Sequence, residues 1–355
     1  MKKFFALALA AAAVLSAQAQ DVKALYEQAK KLDDAFNKAK PTQMSPDKKV
    51  DAPTAKGLLD AIEIYEQVIK TENQEGAKPK YTKKINDSMM KHAMGGDFNT
   101  AAVALFNGGM PYPEAYTAFM MSGESSQASG MVPDSIYAVD FYNAGNSAYG
   151  RDFEAAALAY DAAIAANITE PQAYVYAIGA RQNLMQQKPE VADKAKQDIT
   201  AIAKKGVETF GYDQDFLFNN YLQSYFDKED YDSALAELAK AEQANPNNAN
   251  IYRLRAIISN AKHDYLAAIP AYVKMSEMTD KYDYLIKAAS DLNSLGKTIM
   301  GNISTPTPEV KTQILDIFDA ALKIAQKAKT APDADGRAAS QIEDIEYNID
   351  NAKKL

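Results

Sequence analysis

Hydrophobic residues recur along this chain at the spacing of amphipathic helices, with short polar breaks between them. The clearest stretch is residues 215–278, where apolar side chains at i, i+3, i+4 and i+7 form one stripe, as in Phe218, Tyr221, Leu222 and Tyr225. No segment shows the alternation with a period of two that a pair of strands would need. The pattern therefore predicts helices joined by loops.

Two blocks in that stretch match each other at a period of 34 residues. Tyr231 corresponds to Tyr265 and Ala234 to Ala268, and an Asp precedes each tyrosine. A small alanine leaves room where two antiparallel helices cross, and Pro246 in Asn-Pro-Asn-Asn ends the second helix. This order of large, aromatic, small and proline residues resembles the tetratricopeptide repeat (TPR), a helix–turn–helix unit.

The resemblance implies an all-α fold, an α-solenoid of TPR-like antiparallel helix pairs with a C-terminal capping helix. One pair cannot bury its apolar face alone, so successive pairs should stack into a continuous core. The first helices of the units are predicted to start near residues 82, 138, 173, 215, 249 and 283. After a signal peptide, the predicted divisions are divergent helical repeats with Pro/Gly/Ser-rich inserts over 20–132, TPR-like repeats over 133–296, and C-terminal helices with the cap over 297–355.

Two Gly/Ser-rich stretches are expected to interrupt the helices. Residues 122–132 follow a short predicted helix over 114–121 and are expected to form a mobile segment. That segment could be a plain loop, a lid or a docking element. Residues 296–308 contain Gly, Ser, Thr and Pro throughout and are expected to end one helix before the next begins.

A cleaved secretory signal peptide is expected over residues 1–19. Met1-Lys2-Lys3 is basic, Phe4 to Leu15 is apolar, and Ala17-Gln18-Ala19 is a small-x-small cleavage site. The apolar run is shorter than the ~20 residues that span a bilayer, and no second run of that kind follows. We therefore expect a periplasmic or secreted protein with no integral membrane segment after cleavage. The bias toward Lys over Arg and the absence of Cys and Trp suggest a Gram-negative bacterium.

Composition narrows the possible functions. The chain has 355 residues and no cysteine, which excludes disulfides, cysteine chemistry and a lipid anchor on an N-terminal Cys. Its formal charge is −8, and loss of Lys2 and Lys3 with the signal peptide makes it −10. An acidic chain is poorly suited to bind nucleic acid or an anionic membrane through bulk charge. We expect the acidic residues to be spread along helix surfaces and mixed with lysines.

Few residues suggest chemistry. His92 and His263 are far apart and neither belongs to a His-x-x-x-His pattern, so we expect His92 in the core and His263 exposed in a turn. Ser294-Leu-Gly-Lys297 has a Ser-x-x-Lys spacing without the sheet that such enzymes need. Asp333-Ala-Asp335-Gly336 lacks carboxylates at the first and twelfth positions of a calcium loop. No catalytic residue, metal ligand or cofactor is assigned.

The TPR resemblance also implies a partner site. In that family, positions 2, 5, 9 and 12 of the first helices line a concave groove. The candidate groove residues here are Tyr142, Asn146, Tyr149, Tyr174, Arg181, Phe216, Asn219, Gln223, Phe226, Asn250, Arg253, Ile257 and Asn260. Aromatic and Arg side chains are common anchors of protein interfaces. Burial of these residues inside the superhelix, or binding through the convex face or a loop, are the open alternatives.

The predicted function is a non-enzymatic adaptor or scaffold of the bacterial cell envelope, which holds a protein or peptide of unknown identity in this groove. One alternative is a glycan- or nutrient-binding protein similar to SusD-like proteins. Those are larger and lipid-anchored through a Cys, whereas this chain has neither Cys nor Trp. A metal-independent enzyme that uses only carboxylates is the third possibility.

Overall fold

The computed structural model describes residues 22–74, 79–303 and 305–355, so the predicted signal peptide lies outside the described residues. Within these ranges the chain forms sixteen α-helices and no β-strand, which confirms the all-α prediction. None of the described helices combines the length and apolarity needed to cross a bilayer. The helices are α1 (Val22–Ala39), α2 (Ala52–Gln74), α3 (Thr82–Gly95), α4 (Asp97–Asn107), α5 (Tyr116–Ser129), α6 (Asp134–Ala148), α7 (Phe153–Ala165), α8 (Pro171–Gln187), α9 (Ala192–Phe210), α10 (Asp215–Phe226), α11 (Tyr231–Ala244), α12 (Ala249–Ala261), α13 (Tyr265–Met278), α14 (Tyr282–Asn302), α15 (Pro308–Lys329) and α16 (Arg337–Lys353).

The chain divides into two compact units, of which the first ends at Gly206 and the second begins at Val207. In the first unit each helix from α1 to α7 packs on the next, and α2 also contacts α4 while α3 contacts α5. In the second unit α10 to α16 follow the same order, with additional contacts from α13 to α15 and from α14 to α16. Stacked helix pairs produce this pattern of neighbours and next neighbours. A solenoid that includes the whole chain stays a prediction.

The turns before several second helices have a common physical basis. Asp230 precedes α11 and Asp264 precedes α13, the second helices of their pairs. Their side chains accept hydrogen bonds from the backbone N–H groups of Ser233 and Ala267, each at 3.2 Å. Asp152 caps α7 in the same way. An Asp at this position satisfies N–H groups that the first helical turn leaves without partners. The Asp-Tyr pair that marks the 34-residue period in the sequence is therefore a helix start.

The prediction of a mobile segment over 122–132 is wrong for most of that range, because α5 continues to Ser129. Gly123 is buried, and a Cβ atom there would lie 2.6 Å from the ring of Phe141 on α6. The buried Ser122 hydroxyl donates to Asp140 on the same neighbouring helix at 2.7 Å. Gly123 and Ser122 thus allow α5 to pack closely on α6, and they do not form a loop.

The break predicted over 296–308 begins too early, because α14 continues to Asn302. Gly296 is buried in that helix, and a Cβ there would lie 2.5 Å from the ring of Phe318 on α15. Gly145 on α6 meets Tyr160 on α7 in the same way, also at 2.5 Å. Both glycines mark places where an aromatic ring lies directly on the backbone of the partner helix.

Replacement of Gly296 by Ala is expected to destabilise the protein, because the new methyl group would overlap the Phe318 ring. Overpacking of this kind costs about 1–3 kcal/mol. Gly301 lies on the same helix with open space at its Cβ position, so Gly301→Ala should be neutral or stabilise by up to ~1 kcal/mol. Urea unfolding followed by circular dichroism compares the two variants. Equal stabilities would contradict the proposed contact between Gly296 and Phe318.

Candidate functional site

A group of ionisable side chains surrounds His92 on α3. Its Nδ1 lies 2.7 Å from Asp97 Oδ2 on α4, and its Nε2 lies 2.9 Å from Asp33 Oδ1 on α1. Lys40 Nζ donates to the same oxygen of Asp97 at 2.5 Å. His92 is only 2% exposed, and Asp33 and Asp97 are buried beside it, whereas Lys40 is partly exposed at the edge of the group.

Both ring nitrogens of His92 face a carboxylate oxygen, so both contacts are attractive only when the ring carries two protons. Burial lowers the pKa of His92, but the hydrogen bonds to Asp33 and Asp97 outweigh burial and raise that pKa to about 9. Burial alone would raise the pKa values of Asp33 and Asp97. The hydrogen bonds and charge of His92, together with Ser88 and Tyr65 at Asp33 and Lys40 at Asp97, outweigh burial and lower both pKa values. The group is an imidazolium held between two carboxylates.

The His92 cluster is not arranged for nucleophilic catalysis. Ser88 Oγ donates to Asp33 Oδ2 at 2.8 Å rather than to a nitrogen of His92, and Tyr65 donates to the same oxygen at 3.1 Å. Both nitrogens of His92 are already occupied. The cluster instead joins α1, α2, α3 and α4, which confirms the prediction of a core histidine. His263 is exposed in its turn, also as predicted.

The stability of the protein is expected to depend on pH through this cluster. The pKa of His92 is about 9 in the folded chain against an ordinary value of 6.5, so its contribution is complete below pH 6.5 and is lost as the pH rises through about 9. The lowered pKa values of Asp33 and Asp97 add stability that is present above pH 3.8 and is lost as the pH falls further. Thermal unfolding over a pH series should show both losses.

A His92→Gln variant isolates the alkaline loss. Removing the imidazolium leaves two buried carboxylates, which should cost about 3–5 kcal/mol below pH 6.5. The same variant should lose the decline in stability between pH 6.5 and about 9. His263→Gln, at the exposed histidine, is the matched control and should keep that decline. A decline of equal size in both variants would show that His92 does not cause it.

Three of the candidate groove residues follow one side of α6, two within the helix and Tyr149 directly after its last residue, and all three are partly exposed. These are Tyr142, Asn146 and Tyr149. The same side carries Val139, which is 46% exposed, and begins with Ile136, which is 53% exposed. These five residues are called the α6 stripe below, and at the rise of an α-helix they extend over about 20 Å.

The aromatic rings of the α6 stripe rest on other tyrosines. The buried ring of Tyr160 lies 6.0 Å from that of Tyr142 and 6.3 Å from that of Tyr149. Tyr160 also donates a hydrogen bond to Asn146 Oδ1 at 2.9 Å. Tyr176 on α8 packs on Tyr149 with ring centroids 5.2 Å apart. Tyr160 and Tyr176 therefore hold the partly exposed side chains of Tyr142, Asn146 and Tyr149 in place.

The other two candidates in this unit, Tyr174 and Arg181 on α8, are buried. Arg181 Nη2 lies 2.5 Å from Asp161 Oδ2 and its Nε lies 3.8 Å from Asp198, so carboxylates already neutralise it. The register taken from the repeat thus places these side chains in the interior rather than on a surface. Tyr176, only two residues beyond Tyr174, is the α8 residue that packs beside the stripe, and the repeat register missed it.

The remaining candidates lie on α10 and α12 of the second unit. Phe216 and Gln223 are exposed, whereas Asn250 is buried. The partly exposed ones are Asn219, Phe226, Arg253, Ile257 and Asn260.

The polar residues of this set form a ladder across three first helices. Asn250 Nδ2 donates to Asn219 Oδ1 at 3.0 Å, and Arg253 Nε donates to Asn250 Oδ1 at 3.0 Å. The Arg253 guanidinium lies 5.0 Å from the ring centre of Tyr284, which donates to Asp215 at 2.9 Å. Tyr284 was missed at the sequence level, although it follows Asn250 by 34 residues, as Arg253 follows Asn219. The amides and the arginine thus bind one another and fix α10, α12 and α14 in register.

A polar cavity of about 300 Å³ lies beside this ladder within the second unit. Its lining contains carboxylate, amide, hydroxyl and ammonium groups, from Asp213, Asp215, Asn245, Asn248, Lys281 and Tyr284 among others. Such groups match a ligand with many hydroxyls better than an apolar one.

The acidic residues are not mixed evenly with lysine, which corrects the sequence-based expectation. Between Lys91 and Lys188 there is no lysine, and this segment contains nine acidic residues and two arginines. Its formal charge is therefore −7, against −8 for the whole chain. The α6 stripe lies inside this lysine-free segment.

Within the part of the chain that the structure describes, no three His, Cys, Asp or Glu side chains are grouped to hold a metal ion. A scan against known protein families found no match, and a search of curated proteins found no relative.

Proposed function

We propose that this chain is a non-enzymatic, TPR-like adaptor of the bacterial cell envelope that binds a protein or peptide partner through exposed first-helix residues. The α6 stripe carries the proposal. Ile136 and Val139 offer aliphatic surface to solvent, Tyr142 continues it along the same helix, and Tyr149 follows directly after the helix end. The envelope location rests on the signal-peptide pattern at residues 1–19, and the repeat assignment on the residues that match the TPR.

The physical state of the stripe supports binding. Single exposed apolar residues are common, but several in a row on one helix are more typical of interaction surfaces. The rings of Tyr142 and Tyr149 already pack on Tyr160, so a partner would order them at little entropic cost. The His92 cluster, by contrast, gives no support to an enzymatic function, because both ring nitrogens are bound and buried.

Capture from the native envelope tests the proposal. The bait is the chain from residue 20, beside a variant with Ile136→Ser and Val139→Ser. Serine removes the apolar side chains that would anchor a partner, so capture should fall about tenfold or more. The captured protein is quantified after chemical crosslinking, and circular dichroism establishes that each bait is folded.

The matched control carries Val103→Ser and Leu158→Ser on α4 and α7, where the side chains are 44% and 49% exposed. It loses the same kind of apolar surface on different helices and should capture as the native chain does. Equal capture by all three baits would contradict binding through the α6 stripe.

The cavity of the second unit favours a second function, the binding of a hydroxyl-rich ligand such as a glycan. Asn247 and Lys281 line it and are exposed, so Asn247→Ala with Lys281→Ala should abolish saturable binding without affecting the fold. Calorimetric titration with a panel of oligosaccharides measures this binding. Lys274→Ala, at an exposed lysine on α13 that does not line the cavity, is the control. Binding that survives the double variant would place the glycan elsewhere.

A further inference from the structure

The charge around the α6 stripe indicates which chemical class of partner it would take. Between Lys91 and Lys188 the two basic side chains are Arg181, which is buried and paired with Asp161, and Arg151, which is exposed in the turn after α6. Interface cores are depleted in lysine relative to the rest of a protein surface. The depletion here is local, since lysines are frequent both before Lys91 and after Lys188.

Two exposed acidic residues lie near the stripe. Asp134 lies in the first turn of α6, two residues before Ile136, and is exposed. Glu170, which precedes α8, is also exposed, and its negative charge acts together with burial to raise the pKa of Tyr142. Neither Asp134 nor Glu170 has a basic partner within ion-pair distance among the residues that the structure describes.

The first helices of the second unit differ in this respect. Asp215 is 3.7 Å from Lys281, and Asp291 is paired with Lys287 on α14. Carboxylates there are already matched with cations of the same unit. Asp134 on α6, beside the exposed Ile136 and Val139, has no such cation in the part of the chain that the structure describes.

We propose that the α6 stripe binds a basic polypeptide segment, in which Lys or Arg side chains flank aliphatic or aromatic anchors. This inference rests on the proposed adaptor function and adds the chemistry of the partner. The apolar anchors would cover Ile136, Val139 and the two tyrosines, while the cations would face Asp134 and Glu170. Opposite charges across an interface accelerate association and disfavour wrong partners. An acidic segment with the same anchors would be repelled.

Three labelled peptides of about 16 residues, long enough for an amphipathic helix, test this inference. They share one apolar pattern and carry Lys, Gln or Glu at every polar position. Fluorescence anisotropy at about 0.05 M salt should give at least a tenfold tighter Kd for the Lys peptide than for the Gln peptide, and no saturable binding of the Glu peptide. The advantage of the Lys peptide should shrink at about 0.5 M salt, where charges are screened within a few ångströms.

Two variants of the full chain separate charge from apolar contact. Asp134→Asn with Glu170→Gln should reduce the advantage of the Lys peptide over the Gln peptide severalfold and leave the Gln peptide unchanged. Ile136→Ser with Val139→Ser should weaken the Lys and Gln peptides alike, by about tenfold. Val103→Ser with Leu158→Ser should change neither Kd.

The outcomes distinguish the two proposals. Equal affinity for the Lys and Gln peptides, lost in the stripe variant, would overturn the preference for a basic partner and leave the adaptor function in place. If the Lys peptide binds tightly and the stripe variant does not weaken it, the binding is bulk charge attraction. That result would overturn both the basic-partner inference and binding through the α6 stripe. No saturable binding of any peptide would overturn the basic-partner inference, while the envelope capture would still decide on the adaptor.

Discussion

Two packed helices can approach only as closely as the side chains at their crossing allow, and here glycine sets that distance at decisive places. Tyr160 lies on the backbone of α6 because position 145 has no Cβ. With its position fixed, Tyr160 supports the rings of Tyr142 and Tyr149 and donates to Asn146. The outward surface of α6 thus depends on a contact on its inner side. The same type of contact, between Gly296 and Phe318, joins α14 to α15 in the second unit.

Charge is distributed in the first unit in two contrasting ways. Asp33, His92 and Asp97 balance one another in the interior, where an unpaired charge would be costly, and Lys40 reaches Asp97 from the surface. Asp134 and Glu170 remain at the surface beside apolar residues that solvent still reaches. The first arrangement contributes to stability over a defined range of pH. In the second arrangement the carboxylates have no cation partner among the described residues of the chain, so they can attract the cations of a binding partner.

The sequence predicted those helix starts and buried positions that depend on nearby residues alone. Phe218, Ala234 and Ala268 are buried as the 34-residue period implies, and α10 and α12 begin at the predicted residues 215 and 249. It failed where a residue has two physical roles. Gly123 and Gly296 were interpreted as helix breakers, although both accommodate a ring from another helix, and only the tertiary contact distinguishes these roles.

The candidate site was predictable to a similar extent. Helical spacing was sufficient to place Tyr142 and Asn146 on one side of α6, with Tyr149 just beyond the helix end. It could not show that Arg181 points toward Asp161 in the interior, because that pairing joins α7 to α8. Tyr284 and the lysine-free segment, in contrast, were visible in the sequence. Extending the 34-residue period by one unit gives the first, and counting charges by segment gives the second.

Site-specific photo-crosslinking tests the central claim most directly. A photoreactive phenylalanine analogue replaces Val139 on the α6 stripe in one form of the chain and Leu158 on α7 in another, and both are irradiated in the native envelope. Since both positions are close to half exposed, at 46% and 49%, solvent access alone cannot separate them. The account predicts one defined protein adduct from position 139 and none from position 158. Equal adducts at both positions, or an adduct at 158 alone, would contradict it.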